Sequence, residues 1–311
     1  MIKAVFDCDP GHDDIIALMT ALAHPEAFKV AGAVTVAGNQ TLDKVTDNLL
    51  RVLDHLGIDL PVFRGSARPL CRQPEPQPGA HGESGLDGPK LAPALSKAGS
   101  DGVDFLRRTL LEGEEKTLVF ALGPLTNLAL LLGSSPAAAK RIERIELMGG
   151  SLYSGNILPR AEFNIYHDPE AAKLVFASGE PIVMSGLEVC AAASVLHSEY
   201  PRLKKGGRAS RLAFELLEFF SLYGKKRGSD RSPVFDLTCV IHALRPELFE
   251  SEFYHIDIET AGELCRGMTV ADLRAERDRA LDTCEVLTGV DREGYVKVFF
   301  ESMAALDDML A

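Results

Sequence analysis

Short apolar runs alternate with segments of helical periodicity over the first 190 residues of the chain. The run Leu118–Leu122 is apolar at every position, which is typical of a strand covered by helices on both faces. This alternation predicts an α/β fold with an open, mostly parallel sheet built from βαβ units. The predicted strands are Ile2–Phe6, Lys29–Val36, Pro61–Phe63, Thr117–Leu122, Ile142–Met148 and Pro181–Met184. The predicted helices are the segment beginning at Asp13, Leu42–Leu56, Val103–Leu111, Leu125–Leu132 and Pro169–Ala177.

Two parts of the chain depart from this alternation. Residues 68–93 contain six prolines, and a loop of this length in a compact domain is usually functional or disordered. From about residue 194 the pattern predicts two helices, Ala209–Lys226 and Leu237–Leu244. A β-rich tail is predicted to follow, with strands in Tyr254–Glu259, Met268–Asp272 and Glu285–Val290.

Composition narrows the class of protein. A chain of 311 residues with 46% hydrophobic content can bury a sizeable core, and we expect one domain over residues 1–311. The net charge of −12 argues against a nucleic-acid partner, and no apolar run reaches the roughly 20 residues needed to cross a bilayer. The six cysteines have no CxxC spacing and the N-terminus lacks the form of a signal peptide, so we expect a reduced cytoplasmic protein.

The acid-rich segment at the end of the first strand is the strongest chemical signal. Asp7, Asp9, Asp13 and Asp14 fall within eight residues at the junction of the first strand and the first helix. Two unit charges about 4 Å apart repel by about 4 kcal/mol at an effective dielectric of about 20, so converging carboxylates favour a bound cation. All-oxygen ligands suit a hard cation, Ca²⁺ or Mg²⁺. The simpler alternative is a solvated helix cap, and an EF-hand is excluded because Leu18 stands where its bidentate Glu would be.

Other polar residues follow the ends of the predicted strands. In an open parallel sheet, ligands bind beyond the carboxyl ends of the strands. Asn39 follows the second strand, Gly123 and Pro124 follow a later one, and the pair Gly149–Gly150 follows the next. Neither GxGxxG after the first strand nor GxxxxGK[ST] occurs, so dinucleotide and P-loop sites lack their glycine chemistry.

An ordered set of motifs resembles one known family along nearly the whole chain. The set begins with Asp7-Cys8-Asp9-Pro10-Gly11-His12-Asp13-Asp14 and continues with Val36-Ala37-Gly38-Asn39, His81-Gly82-Glu83-Ser84-Gly85-Leu86, Ala121-Leu122-Gly123-Pro124-Leu125-Thr126-Asn127, Met148-Gly149-Gly150, Gly155-Asn156, Ala161-Glu162-Phe163-Asn164, Asp168-Pro169-Glu170-Ala171-Ala172, Pro233-Val234-Phe235-Asp236 and Arg266-Gly267-Met268-Thr269. The chain therefore resembles the inosine-uridine preferring nucleoside hydrolases. The resemblance implies a Rossmann-like sheet flanked by helices, with a helical and short β-rich C-terminal part. It also implies a Ca²⁺-dependent N-ribohydrolase, commonly a homotetramer or homodimer.

The resemblance also implies roles for individual residues. The calcium ligands would be the carboxylates of Asp9, Asp14 and Asp236 and the main-chain carbonyl of Leu122, with Asp7 supporting the cluster. Asp9 would in addition be the general base that takes a proton from a calcium-bound water. The ribose hydroxyls would be held by Asp13, Asn39, Asn156, Glu162 and Asn164.

Some of these residues have a simpler structural explanation. Asn39 and Asn156 are also ordinary turn residues, and Asp236 is also suited to capping a helix. We interpret Asp168, which precedes Pro169, as a structural helix cap. Glu162 and Asn164 flank Phe163 with a period of two, so we expect both to face one way while Phe163 faces the core.

The base-binding part departs from the family pattern. The family usually has His directly before the Asp that matches Asp236, as a proton donor to the leaving base, but this chain has Phe235. Phenylalanine cannot donate a proton, which leaves His81 as the candidate acid. Tyr223 and Arg227 match the region that contacts the base in relatives. Relatives with the loop beginning at His81 tend to favour pyrimidine nucleosides, and this chain has no Trp for a purine sandwich, so the preferred base stays open.

Two other functions compete at this stage. A strand that ends in DxD also resembles phosphatases of the haloacid dehalogenase type, with Mg²⁺. The turn at Pro10 and Gly11 and the segment Ala161–Asn164 do not fit that interpretation. Phe235, which removes the expected acid, suggests a ribose or nucleoside binder without catalysis.

Overall fold

The central sheet of the computed structural model joins eight strands. Residues 1–226 and 228–311 are described, without the side chain of Tyr223. The strands are β1 (Ile2–Cys8), β2 (Phe28–Thr35), β3 (Val62–Arg64), β4 (Thr117–Ala121), β5 (Ile142–Met148), β6 (Ile182–Ser185), β7 (Val195–Leu196), β8 (Arg231–Ser232), β9 (Phe249–Tyr254), β10 (Ile256–Ile258), β11 (Thr269–Ala271) and β12 (Cys284–Val290). The order in the central sheet is β3-β2-β1-β4-β5-β6-β12-β9. All neighbours in the central sheet pair in parallel except β9, which runs antiparallel to β12 at one edge. The prediction of an open, mostly parallel sheet is confirmed.

Helices cover both faces of this sheet. They are α1 (His12–Leu22), α2 (Leu42–Leu56), α3 (Pro78–His81), α4 (Gly102–Leu111), α5 (Thr126–Ser134), α6 (Pro136–Ala139), α7 (Phe163–His167), α8 (Pro169–Phe176), α9 (Leu187–Ala192), α10 (Arg208–Lys225), α11 (Leu237–Leu244) and α12 (Arg292–Met309). In the described part of the chain, none of them combines the length and the apolar character needed to span a membrane.

Alternate residues of the central strands feed two separate cores. In β4, Leu118 and Phe120 join the core beneath α1, α10 and α12, whereas Val119 joins the core on the opposite face. Successive side chains of a strand point to opposite faces, so a strand that is apolar throughout is buried on both sides. The continuous apolar run of β4 is explained by this double burial.

The C-terminal end differs most from the sequence prediction. The tail is not only β-rich, because α12 forms an eighteen-residue helix that packs against α1 and α10. Its start carries a clear signal, since the carboxylate of Asp291 accepts hydrogen bonds from the main-chain N–H groups of Glu293 and Gly294. The run Val298–Phe300 in its middle is β-branched and aromatic, which favours a strand when read locally. The predicted strand Tyr254–Glu259 is instead divided between the end of β9 and β10.

Two further segments differ from the expectation. The long loop 68–93 contains the short helix α3, which ends at His81. The segment expected to be extended around Phe163 is the helix α7, which begins at that residue. The cause is the carboxylate of Glu162, which accepts the main-chain N–H groups of Asn164 and Ile165 and so caps a helix.

Candidate functional site

The turn between β1 and α1 buries its carboxylates at the carboxyl edge of the sheet. Asp7 lies at the end of β1 and accepts a hydrogen bond of 2.7 Å from the side-chain amide of Asn127. Asp9 follows the strand, and its Oδ2 accepts the main-chain N–H of Asn39 at 2.6 Å. Asp14 reaches back from the first turn of α1 and accepts the main-chain N–H of Gly11 at 2.9 Å. The turn therefore holds Asp9 by one carboxylate oxygen, while Asp7 is held by Asn127.

A second helix brings a distant carboxylate to this turn. Asp236 stands at the N-terminus of α11, and its side chain makes no capping hydrogen bond there. One carboxylate oxygen from each of Asp13, Asp14 and Asp236 lies within 4.8 Å of the others. Two buried oxygens nearby, Oδ1 of Asp9 and Oδ1 of Asp13, have no hydrogen-bond partner in the described residues. This all-oxygen donor set with unpartnered buried atoms fits a metal ion of the hard, oxygen-preferring kind.

The pKa values show the cost of gathering these acids. Burial and then the charge of Asp13 raise the pKa of Asp14 to about 7, and burial raises the pKa of Asp13 to about 6. The pKa of Asp9 is raised well above its ordinary value by burial and then by Asp14. Burial and the neighbouring charges of Asp13 and Asp14 do the same to the pKa of Asp236. A cation among these groups favours their ionised forms and removes the repulsion.

Main-chain oxygens at the ends of β4 and β5, and polar side chains before and within α7, border the same place. The amide of Asn164 donates to the main-chain oxygens of Leu122 at 2.9 Å and Met148 at 3.1 Å. The carboxylate of Glu162 accepts the N–H of Gly150 at 3.0 Å, and burial raises its pKa to about 7. Asn156 accepts the main-chain N–H of Phe163 at 2.9 Å through its own Oδ1. A row of fixed amide and carboxylate groups therefore faces the acid cluster.

These groups line one cavity of about 380 Å³. Its polar lining consists of the predicted site residues Asp9, Asp13, Asn39, Leu122, Asn156, Glu162, Asn164 and Asp236. Its aromatic lining consists of Phe163, Phe220, Phe235 and the ring of His81. The cavity thus combines carboxylate and amide groups, which can bind hydroxyls, with flat rings that can pack on another flat ring.

Phe235 and His81 line the same cavity but have distinct surroundings. Phe235 is half-buried and lines the cavity. His81 is buried, and burial lowers its pKa to about 4, so its ring is neutral near pH 7. The ring stacks on Phe220 with centroids 5.4 Å apart. The rings of Phe220 and Phe235 and one neutral imidazole therefore border the same cavity.

His12 contacts His81 and had no role in the sequence interpretation. The two Nδ1 atoms lie 3.0 Å apart, and Nε2 of His12 lies 2.8 Å from the main-chain oxygen of Asp87. The main-chain oxygen of Asp87 can only accept, so Nε2 of His12 donates to it, and Nδ1 of the neutral His12 ring has no hydrogen. The contact between the two Nδ1 atoms then requires the hydrogen of His81 on its own Nδ1, which leaves Nε2 of His81 as an acceptor. The position of His12 within the acid-rich motif was the available signal, but its partner is 69 residues away.

The remaining predictions for the site have different outcomes. Asp168 is a helix cap as interpreted, because its carboxylate accepts the N–H of Ala171. The expectation that Phe163 faces the core is wrong: it begins α7 and lines the cavity. Arg227 and the side chain of Tyr223 lie outside the described residues. Three lining residues, Gln77, Ile157 and Phe220, carried no recognisable signal in the sequence.

Comparison with known proteins decides the family. The family model described as inosine-uridine preferring nucleoside hydrolase matches residues 4–297. The chain belongs to the inosine-uridine preferring nucleoside hydrolase family. It is a nucleoside hydrolase, and this decides against the phosphatase and the non-catalytic binder considered above.

Individual relatives match this nucleoside hydrolase over nearly its whole length. It is 42% identical to a protein named pyrimidine-specific ribonucleoside hydrolase RihA from Citrobacter koseri, over 97% of this chain and 98% of the relative. It is also 42% identical to a RihA of Shewanella oneidensis, over 97% and 96% of the two chains. A purine-preferring ribonucleoside hydrolase from Gardnerella vaginalis has the same fold, with a TM-score of 0.90, 26% identity and 99% of both chains covered. A plant nucleoside hydrolase, PpNRh1, gives a TM-score of 0.88 at 26% identity, over 98% of this chain and 99% of the other.

Proposed function

We propose that this nucleoside hydrolase cleaves the N-glycosidic bond of ribonucleosides to free base and ribose with the help of Ca²⁺. The observation that carries the proposal is the mixed lining of the cavity. Buried carboxylates and amides line it together with three phenylalanines and one neutral imidazole. A nucleoside has the same polarity, with a hydroxylated sugar joined to a flat base.

The acid cluster is proposed to hold the cation. Asp9, Asp14 and Asp236 supply carboxylate oxygens, and the main-chain oxygen of Leu122 completes the set, with Asp7 in support. Calcium accepts six to eight oxygen ligands in flexible geometry, which suits a mixture of carboxylates and a carbonyl. When bound, such a cation lowers the pKa of water and orients it.

Asp9 is proposed as the general base. Its Oδ2 is occupied by the N–H of Asn39, whereas its Oδ1 has no partner in the described residues and borders the cavity. Oδ1 takes a proton from the attacking water as a bond forms between the water oxygen and the anomeric carbon. The bond from that carbon to the base breaks, and its electron pair leaves with the base nitrogen.

The polar row is proposed to hold the sugar. The residues are Asp13, Asn39, Asn156, Glu162 and Asn164. Bond cleavage builds positive charge on the ribose ring, and these acceptors stabilise that charge more than they stabilise the neutral substrate. A substrate without one hydroxyl leaves a buried acceptor or donor unpaired, so we expect strong preference for ribosides over deoxyribosides.

His81 is proposed to protonate the leaving base. In the neutral pair with His12 its Nε2 has no hydrogen, so this nitrogen first takes a proton from water and then passes that proton to the base nitrogen. Phe235 supplies an apolar wall for the base and no proton, and Tyr223 and Arg227 are proposed to contact the base as well. The names of the relatives favour a pyrimidine as that base.

The cellular location is proposed from the state of the cysteines, and the assembly from the resemblance to the family. All six cysteines are free, as expected in a reducing compartment, and we propose a cytoplasmic enzyme. A homotetramer or homodimer is proposed from the resemblance to the family.

A ribonucleoside panel tests the function. The protein is incubated with uridine, cytidine, inosine and their 2′-deoxy forms, with excess Ca²⁺ or with a chelator, and free base and reducing sugar are measured. We expect release from ribonucleosides in Ca²⁺, at least about a hundredfold slower release from deoxyribosides, and loss of release with chelator. Equal rates with chelator would refute the calcium dependence, and absence of release from every ribonucleoside would refute the function.

A further inference from the structure

The segment Arg266–Thr269 belongs to the C-terminal tail, yet it contacts both elements that hold Glu162. None of its residues is among the described residues that line the cavity. One contact runs through the turn after β5 and the other through α7. Both lead to the same carboxylate.

The first contact joins the side-chain hydroxyl of Thr269 to the main chain of Ser151. Thr269 is buried at the start of β11, and its Oγ1 accepts the N–H of Ser151 at 2.9 Å. The same hydroxyl donates to the main-chain oxygen of Ser151 at 2.5 Å. One side chain therefore satisfies both main-chain polar groups of the residue that follows Gly150, and it fixes the turn there.

The turn presents a hydrogen bond to the proposed ribose-binding carboxylate. The N–H of Gly150 donates to Oε2 of Glu162 at 3.0 Å. Gly150 has a φ of +74°, and a Cβ on it would lie 2.6 Å from Cγ2 of Thr269. Thr269 therefore packs directly against the residue whose N–H binds Glu162.

The second contact holds the helix that Glu162 caps. The guanidinium of Arg266 lies 4.2 Å from the centre of the Tyr166 ring. Tyr166 in turn donates its main-chain N–H to the main-chain oxygen of Glu162 at 2.8 Å. A Cβ on Gly267 would lie 2.6 Å from Cα of Tyr166, so the segment packs closely on α7. The tail therefore restrains the backbone that carries Glu162 as well as the hydrogen bond to its carboxylate.

We propose that Thr269 is a positioning residue for Glu162, acting through Ser151 and Gly150. The proposal rests on the proposed role of Glu162 in holding the ribose. Removal of the hydroxyl leaves two buried main-chain groups of Ser151 without their partner, and the turn shifts to find water or another acceptor. The N–H of Gly150 then leaves Glu162, and the carboxylate no longer has one fixed orientation toward the sugar.

The first test compares a substitution that removes the hydroxyl of Thr269 with one that retains it. Thr269→Val keeps the shape and removes the hydroxyl, Thr269→Ser retains it, and Thr288→Val makes the same change at an exposed position of β12. With the ribonucleoside that the wild type cleaves fastest, we expect kcat/KM to fall about tenfold in Thr269→Val. We expect Thr269→Ser and Thr288→Val to stay within about twofold of the wild type. Wild-type kcat/KM in folded Thr269→Val would overturn the proposal.

A double-mutant cycle separates positioning from general structural support. Glu162→Gln is combined with Thr269→Val, and kcat/KM is measured for both single variants and the double variant. We expect the double variant to be no slower than Glu162→Gln alone, because Thr269 acts through that carboxylate. Multiplied losses in the double variant, or an unaffected Glu162→Gln, would overturn the proposal.

Two further readouts keep the outcomes distinct. Thermal unfolding shows whether each variant folds, and Thr269→Cys replaces Thr269→Val if the latter does not, because a thiol is only a weak donor and acceptor. A wild-type protein that cleaves no ribonucleoside refutes the proposed function. A wild-type protein that cleaves ribonucleosides while Thr269→Val and Thr269→Cys match it refutes only the role of Thr269.

Discussion

At the scale of single residues, the two oxygens of Asp9 have different surroundings. Oδ2 accepts the main-chain N–H of Asn39, which holds the carboxylate in one orientation. Oδ1 is buried and unpartnered in the described chain. A side chain held by one oxygen and free at the other is suited to accept a proton from a molecule in the cavity.

Replacement of Asp9 tests this role. We expect Asp9→Ala to lower kcat by about a thousandfold, in the range that general bases contribute. The protein should still fold, because the change removes one of several repelling carboxylates. Steady-state kinetics and thermal unfolding measure the two effects, with Asp308→Ala, an exposed position of α12, as the control. A kcat near that of the control would contradict the assignment of Asp9.

Substitution of Phe235 tests whether this position faces the leaving base and can supply it with a proton. We expect Phe235→His to raise kcat for uridine up to about a hundredfold, since an imidazole beside the base can protonate it. The rate for p-nitrophenyl riboside should change little, because that leaving group needs no proton. Phe235→Leu controls for the loss of the aromatic ring. An unchanged or lower rate for uridine in Phe235→His would show that this position does not face the base.

At the scale of elements, the short helix α7 carries a buried histidine outside the proposed chemistry. Neither ring nitrogen of His167 has a hydrogen-bond partner in the described residues, and its ring lies 5.5 Å from that of Phe163. Burial lowers the pKa of His167 from 6.5 to about 4. The unfolded chain therefore binds more protons than the folded chain between these values, and this histidine lowers stability as the pH falls from 6.5 toward 4.

A pH series of unfolding measurements checks this sign. We expect the free energy of unfolding of His167→Phe, relative to wild type, to increase by about 2–3 kcal/mol between pH 7 and pH 4.5. Chemical denaturation at each pH gives this difference. His55→Phe, at an exposed position of α2, is the matched control. A constant difference between wild type and His167→Phe across the series would contradict the lowered pKa.

The elements also show where sequence reasoning works. The continuous apolar run of β4 predicted its double burial, and the acids after β1 predicted their convergence at the sheet edge. The conformation around Phe163 could not be read in this way, because the period-two spacing of Glu162 and Asn164 also fits a helix N-terminus. The contact of His12 with His81 depends on how the loop 68–93 folds over α1, which local patterns do not determine.

At the scale of the whole molecule, the site exists because the strand order brings distant segments to one edge. The turn after β1 and the N-terminus of α11 are more than 200 residues apart, yet both deliver carboxylates to the same point. No local pattern gave this juxtaposition, and only the resemblance to a family suggested Asp236. The expectation of one domain over residues 1–311 stays a prediction.

The central claim is that these two segments together bind one hard cation beside the residues proposed to hold the sugar. Isothermal titration of Ca²⁺ into chelator-treated protein measures this directly. The account predicts one ion bound per wild-type chain, binding at least about tenfold weaker in Asp236→Asn, and wild-type binding in the exposed control Asp308→Asn. Absence of Ca²⁺ binding in the wild type, or equal affinity in Asp236→Asn, would contradict it.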